Sequence, residues 1–205
     1  MKPDSAAIRK RYDRIAPYFE GIEAVMEGLF FKAWRKKLWA KVDGYHILEV
    51  GVGTGKNFDY YPNGARITAI DFSGQMLKQA VQKRERKNIK VELELMDIQS
   101  LYFADNSFDT VICSFVFCSV PSAIKGLKEV YRVCKPGGQV LLLEHVLSSN
   151  PVIAAVMNLF NPFVVALVGA NINRNTVKNV KACAFTSVHV DQRSSDIIKL
   201  VEARK

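Results

Sequence analysis

The chain has 205 residues, 49% of them hydrophobic, and 29 Lys and Arg against 20 Asp and Glu give it a formal net charge of +9. That length buries one good core, and no linker or repeat divides it, so one domain over residues 1–205 is expected. The four cysteines (Cys113, Cys118, Cys134, Cys183) form no C-x-x-C pair and the three histidines are scattered, which argues against a metal site or a disulfide framework and points to a reduced, cytoplasmic setting.

In chain order, Lys2, Asp4, Arg9, Lys10 and Arg11 precede any apolar run, so no secretory signal is expected there. Helical patterning covers about Ser5 to Phe19 and again Leu29 to Val42. The second helix carries Lys32, Arg35, Lys36, Lys37 and Lys41 and no acid. On a helical wheel Phe30, Phe31, Trp34, Leu38 and Val42 share one face, Lys37 and Lys41 flank it, and Lys32 and Lys36 lie opposite. Such a face can lie in a bilayer interface and attract anionic headgroups, so an anionic membrane surface is an expected partner through residues 29–42. The plainer alternative is a helix whose apolar face covers the core.

The apolar run Tyr45–Val50 then ends in Gly51-Val52-Gly53-Thr54-Gly55, as a buried strand running into a tight turn would. A second run, Arg66–Ile70, ends in Asp71, a carboxylate that in a doubly wound sheet faces a ligand's ribose hydroxyls. The spacing is G-x-G-x-G preceded by Glu49, neither the G-x-G-x-x-G of dinucleotide sites nor a P-loop. Further strands are expected at Val91–Leu95, Thr110–Phe115 and Gln139–His145, with crossover helices at Gln75–Arg86 and Ile124–Val133. Residues 146–173 carry no charge, and Pro151–Ala170 is mostly apolar. Its length would permit a membrane span, but Pro162 should interrupt the helix and Asn158 and Asn161 are costly in lipid. A broken apolar cap forming an acceptor pocket is the expectation. Ser187–Arg193 and Asp196–Ala203 read as a closing hairpin, so the sheet should be mostly parallel with one antiparallel strand.

Glu49-Val50-Gly51-Val52-Gly53-Thr54-Gly55 with Asp71-Phe72-Ser73-Gly74-Gln75-Met76 resembles the cofactor site of class I S-adenosylmethionine (SAM) methyltransferases. Asp97-Ile98, Ser107–Ser114 and Arg132–Gly138 match that family's later motifs in the same order. The resemblance implies a Rossmann-like α/β sheet of seven strands with one antiparallel strand, an N-terminal helical lid (1–44) and an apolar substrate cap (146–173). It implies SAM as cofactor, bound by Glu49, Gly51, Gly53, Gly55, Asp71, Phe72, Met76, Asp97, Ile98 and Ser114, with Met76 and Asp97 near the adenine.

Tyr12-Asp13-Arg14-Ile15-Ala16-Pro17-Tyr18-Phe19 resembles an element of the quinone C-methyltransferases and the bacterial phosphatidylethanolamine N-methyltransferases. Phe117–Val120, Glu144–Val146 and Asn171–Thr176 resemble the phospholipid-type enzymes and the membrane-associated methyltransferase-like proteins of animals, and the quinone enzymes' G-L-R-N-V-like segment is missing. These likenesses point to a lipid or other hydrophobic acceptor and a peripheral membrane location, with Tyr12, Tyr18 and His145 as the polar groups that reach it. C-methylation of a quinol and S-methylation of a small thiol are the alternatives, and a SAM-binding protein without turnover is the contrasting class. Ser114-Phe115-Val116-Phe117 lacks the proline pair of base-amino methyltransferases, which argues against nucleic acid despite the charge.

Overall fold

Three apolar strand sequences, Ile-Leu-Glu-Val, Val-Ile-Cys-Ser and Val-Leu-Leu-Leu-Glu, are too uniformly greasy to face water on either side, and each lies inside the sheet beside at least one parallel neighbour. The computed structural model describes residues 4–191 and 195–205. The strands are β1 (His46–Val50), β2 (Arg66–Asp71), β3 (Glu92–Leu95), β4 (Phe108–Ser114), β5 (Cys134–His145), β6 (Ser187–Val190) and β7 (Ile198–Arg204). They form one sheet in the order β3-β2-β1-β4-β5-β7-β6, and β7 runs antiparallel to both of its neighbours. This is the expected seven-stranded α/β sheet. The strand expected to reach Arg193 ends at Val190 within the described residues, and 192–194 lie outside them.

Strand alternation sends odd and even positions to opposite layers. Ile47, Ile112, Leu141 and Leu143 meet Leu38 and Trp39 on one face. Leu48, Val111, Cys113, Val140 and Leu142 meet Leu127 and Val130 on the other. The crossover helices are α3 (Gly74–Lys87), α4 (Ala123–Val133) and α6 (Thr176–Lys181). Ser73 caps α3 by accepting from Met76 N, and Asn88 ends it in the left-handed conformation at φ +52°. The chain leaves β1 toward β2 on one side and returns to β4 on the other, so a crevice opens at the carboxyl ends of β1 and β4.

Two N-terminal helices cover that crevice. The first, α1 (Ser5–Met26), runs seven residues past the expected Phe19 and carries Pro17 inside it. A π-helical turn over Glu27–Phe31 leads into α2 (Lys32–Trp39), which stops short of the expected Val42. Of the aromatic face expected to meet a bilayer, the Phe30 side chain lies outside the described residues, and the rest packs on the protein itself. Leu38 and Trp39 are buried, and Phe31, Trp34 and Val42 pack against the sheet. Lys37 pairs with Asp191 and Lys41 with Glu202, which leaves Lys32 and Lys36 as the exposed lysines of α2.

The apolar segment after β5 also departs from expectation. It forms one continuous helix, α5 (Pro151–Leu167), straight through Pro162. Asn150 caps it by accepting from Val152 N at 2.9 Å, and Pro151 occupies the first turn, where its missing N–H costs nothing. The two amides bond the loop that follows: Asn158 accepts from Asn173 Nδ2 at 2.8 Å and Asn161 accepts from Ile172 N at 2.9 Å. These bonds fasten the helix to the loop 171–173 in the turn just before the proline, which offsets the bond the ring removes. Among the described residues, no helix is long and apolar enough to cross a membrane.

Because Leu38 is fully buried against the sheet, Leu38→Ala should destabilise the fold by about 2–5 kcal/mol. Urea unfolding measures this, and a change near zero would mean that α2 does not rest on the core.

Candidate active site

Three left-handed backbone positions shape the floor of the crevice. Gly51 sits at φ +72°, and a Cβ there would come within 2.5 Å of Val116 Cγ2. Gly55, at φ +77°, would strike the Phe58 ring at the same distance. Gly53, at φ +56°, has nothing within 4 Å of the same position, because it looks into open cavity. Two glycines therefore close the turn and the third admits a ligand to the backbone.

The turn and the end of β2 hold one another. Gly51 N and Val52 N donate to Ile70 O, at 2.8 and 3.0 Å. Asp71 Oδ2 accepts from Gly53 N at 2.8 Å and Oδ1 from Ser73 N at 2.9 Å. Burial pushes the Asp71 carboxyl up to about 6, against the two backbone donors, so it is ionised at neutral pH. Each oxygen keeps lone-pair capacity toward the cavity, the arrangement a pair of vicinal hydroxyls needs.

The cavity has a volume of about 280 Å³, close to the roughly 300 Å³ at which small-molecule sites begin. Phe72, Met76, Met96 and Ile98 line one end as an apolar slot, with Asp97 at its edge. Asp97 Oδ1 accepts from Gln99 N at 2.8 Å, and Gln99 in turn accepts from Ser122 N and donates to Ser5 Oγ. The slot is thereby tied to the starts of both α1 and α4.

At the other side of the turn lies a residue the sequence does not single out. Arg35, only 4% exposed, lines the cavity from α2. Its Nη1 donates to Ser114 Oγ at 3.1 Å and Asn57 Oδ1 at 3.2 Å, and its Nε to the Glu27 carboxylate at 3.0 Å. The guanidinium also stands 5.3 Å from the centre of the Phe115 ring. A signal was available: Arg35, Leu38, Trp39 and Val42 follow the i, i+3, i+4, i+7 spacing of one helix face, so a cation interrupts the buried stripe.

Glu49 and Gly55, expected to bind the ligand, do not line the cavity. Glu49 is buried behind it, accepting from Asn57 Nδ2 at 2.5 Å and from the Tyr61 hydroxyl. Burial raises its carboxyl, and the nearby Arg35 charge opposes that shift. Its role is to hold Asn57, and through Asn57 the guanidinium. Thr54, inside the glycine motif, and Lys56, just after it, line the cavity although neither was expected to bind. The other residues expected at the cofactor site (Gly51, Gly53, Asp71, Phe72, Met76, Asp97, Ile98 and Ser114) all line this one cavity.

The wall opposite the glycine turn joins Tyr12, Phe19, Phe31, Phe115, Cys118, Ser119, His145, Val168 and Ala170. Tyr12 shares a hydrogen bond with Ser119 and sets its ring edge-on to Phe72 with centroids 5.5 Å apart. His145 is held by a hydrogen bond to the Ile172 backbone, and its Nδ1 is buried with no partner. Burial lowers its basicity, so the ring is neutral near pH 7. The Cys118 thiol, pushed up to about 12 by burial, stays protonated. Tyr18 does not join this wall: it is 70% exposed and outside the cavity. Six residues after Tyr12 on a helix, it points to another face.

The comparisons follow this geometry. Residues 48–142 match a methyltransferase-domain family model. The chain is 36% identical over 154 residues to a phosphatidylethanolamine N-methyltransferase of Cereibacter sphaeroides, covering 73% of each chain. It is 31% identical over 174 residues to a ubiquinone/menaquinone biosynthesis C-methyltransferase of Bdellovibrio bacteriovorus, covering 82% of this chain and 74% of the relative. In fold it matches a phosphoethanolamine N-methyltransferase of Haemonchus contortus, in complex with phosphomonomethylethanolamine and S-adenosylhomocysteine. That match has a TM-score of 0.69 at 16% identity over 87% of this chain and 53% of the other. The open backbone at Gly53, the paired acceptors of Asp71 and the apolar slot fit SAM, the cofactor of these enzymes.

Asp71→Ala should weaken SAM binding at least tenfold, since a hydrogen bond to a charged group is worth about 1.5–3 kcal/mol. Wild-type affinity should also fall about tenfold by pH 5, as a carboxyl near 6 takes up its proton, and the Ala variant should lose that dependence. Calorimetry across pH checks both, and unchanged affinity in the variant removes Asp71 from the site.

Proposed function

This chain belongs to the SAM-dependent methyltransferases, and from that premise we propose that it methylates the amine of a membrane phospholipid, in the manner of a phosphatidylethanolamine N-methyltransferase. The observation that carries the reading is the chemistry of the acceptor wall. It is apolar apart from the Tyr12–Ser119 pair, the Cys118 thiol and the neutral His145 ring. An amine must be neutral to attack, and a neutral imidazole beside it can take the proton the amine sheds. The relative at 36% identity is named for that acceptor.

When bound, SAM supplies a methyl group on a sulfonium, already activated for in-line displacement. The residues of this chain need only bind, align and keep water out. Asp71 would hold the ribose hydroxyls, Asp97, Ile98 and Met76 the adenine end, and Arg35 the cofactor's carboxylate. Phe19, Phe31 and Phe115 exclude water from the acceptor side. The Tyr12 ring offers its face to the cationic product amine, and its hydroxyl, bonded to Ser119, orients the acceptor.

Purified protein incubated with labelled SAM and each of phosphatidylethanolamine, a quinol and a small thiol tests this, with products identified by mass spectrometry. Label on the lipid nitrogen is expected. Label on quinol carbon or on sulfur alone replaces the acceptor and leaves the methyltransferase standing. His145→Ala should lower turnover about 100-fold with SAM affinity unchanged, the size of a general-base contribution. Tyr18→Phe should leave turnover at the wild-type value, because its hydroxyl is outside the cavity.

A further inference from the structure

We propose that α5 is a membrane-docking helix that lies in the plane of an anionic bilayer and brings the mouth of the acceptor cavity to the lipid surface. Of its 17 residues only Met157 is buried. Val152, Val156, Leu159, Phe160, Phe163 and Leu167 follow helical spacing and are all exposed, Phe163 at 69% and Leu167 at 77%. Isolated apolar side chains on a surface need no explanation, but a contiguous face of this kind does. The segment has no charge from 146 to 173, and by helical spacing its two amides, bonded to the loop 171–173, lie on the side away from this apolar face.

What covers this face is indicated by charge. The carboxyl end of α5 rests on α1, where Arg11 Nη1 donates to Val165 O at 2.6 Å. Beside Arg11 on that helix, Lys10, Arg14 and Tyr18 recur every four residues and are all exposed. A stripe of two cations and a tyrosine flanking an apolar helix suits the headgroup region of an anionic bilayer. A second copy of the chain fits less well, because pairing these faces would set two +9 molecules and their basic stripes against each other. No described helix is long and apolar enough to cross a membrane, so the contact is in-plane.

The docking face also leads to the active site. Val168 and Ala170, immediately after α5, line the cavity, so a bilayer seated on α5 meets its opening. What enters there rests on the lipid-acceptor reading, whereas the docking surface does not. Membrane contact is thus proposed for α5 and the exposed stripe of α1 rather than for residues 29–42, where Phe31, Trp34, Leu38 and Val42 pack against the sheet.

Flotation of the full chain with phosphatidylcholine vesicles, with and without phosphatidylglycerol, tests this without requiring turnover. Wild type should float with the anionic vesicles. A variant carrying Leu159→Ser, Phe160→Ser and Phe163→Ser should bind about tenfold more weakly or worse, with SAM affinity and urea midpoint retained as controls of folding. Lys10→Glu with Arg14→Glu should weaken binding and flatten its salt dependence, whereas Lys32→Glu with Lys36→Glu should leave it unchanged. Equal flotation of wild type and the triple serine variant overturns the proposal, as does failure of wild type to bind either vesicle. A wild-type dimer that the serine substitutions convert to monomer also overturns it, by assigning the face to self-association. Activity on detergent-dispersed phosphatidylethanolamine separates the two readings: a serine variant that loses flotation but keeps this activity supports docking, and a floating protein that methylates only quinol or thiol overturns the acceptor alone.

Discussion

A buried carboxylate at the end of β2 holds the active site together. Asp71 accepts from Gly53 N on one side and Ser73 N on the other, so it fixes both the glycine turn and the start of α3. Gly53 can donate in that direction because its backbone is left-handed. Ser73, placed by the same contact, donates its hydroxyl to Asp13 at 2.6 Å and so anchors α1. Asp13 also accepts from Gln75 N, which puts a second carboxylate at the amino end of α3, where the helix dipole favours it. Tyr12, its neighbour, is thereby delivered to the cavity wall. Cofactor floor and helical lid are one hydrogen-bonded unit, and the entropy of ordering the lid is offset by contacts the floor already makes.

Two more buried carboxylates shape the opposite side. Glu144 Oε1 accepts from Val116 N and Phe117 N, which holds the loop after β4 with Phe115 in a left-handed conformation. Phe115 is a costly residue to place at φ +58°, and the strain is sustained because β5 and Glu144 determine the loop on both sides. The Phe115 ring then stands against Arg35 and Phe31 at the cavity wall. Burial pushes the Glu144 carboxyl up to about 8, so at neutral pH it carries a proton much of the time and costs less to bury than a fixed charge. Glu49 solves the same problem differently, with Asn57, Tyr61 and the nearby Arg35 charge as partners.

The sheet, the glycine turn, Asp71 and Asp97 were legible because each depends on a local pattern: an apolar run, a spacing of glycines, an acid at a strand end. Arg35 was overlooked because five basic residues on one helix read as a solvated face, although its place in the stripe with Leu38, Trp39 and Val42 marked it as the one turned toward the sheet. The same rotation packs Phe31, Trp34 and Leu38 against the sheet. Tyr12 and Tyr18 could have been separated in advance, since six residues on a helix put them on different faces. The continuity of α5 could not. Pro162 forecasts a break, and what prevents it is a set of amide contacts to a loop ten residues further on.

Those amide contacts also explain how an uncharged helix can sit at the surface of a basic protein. Asn158 and Asn161 spend their polarity on the loop 171–173, and Asn171 in that loop bonds Cys118 O through both its backbone and side-chain nitrogen. The apolar exterior of α5 is therefore braced, through three asparagines, against the strand-end loop that carries Cys118 and Ser119. Arg11 supplies the second brace, from α1 to the carbonyl of Val165. Since α1 is itself pinned to Ser73 through Asp13, one helix spans the distance from the cofactor turn to the base of α5. The geometry of the acceptor wall is thus set by rigid contacts on both sides, and the exposed face of α5 is held in one orientation relative to the cavity it adjoins.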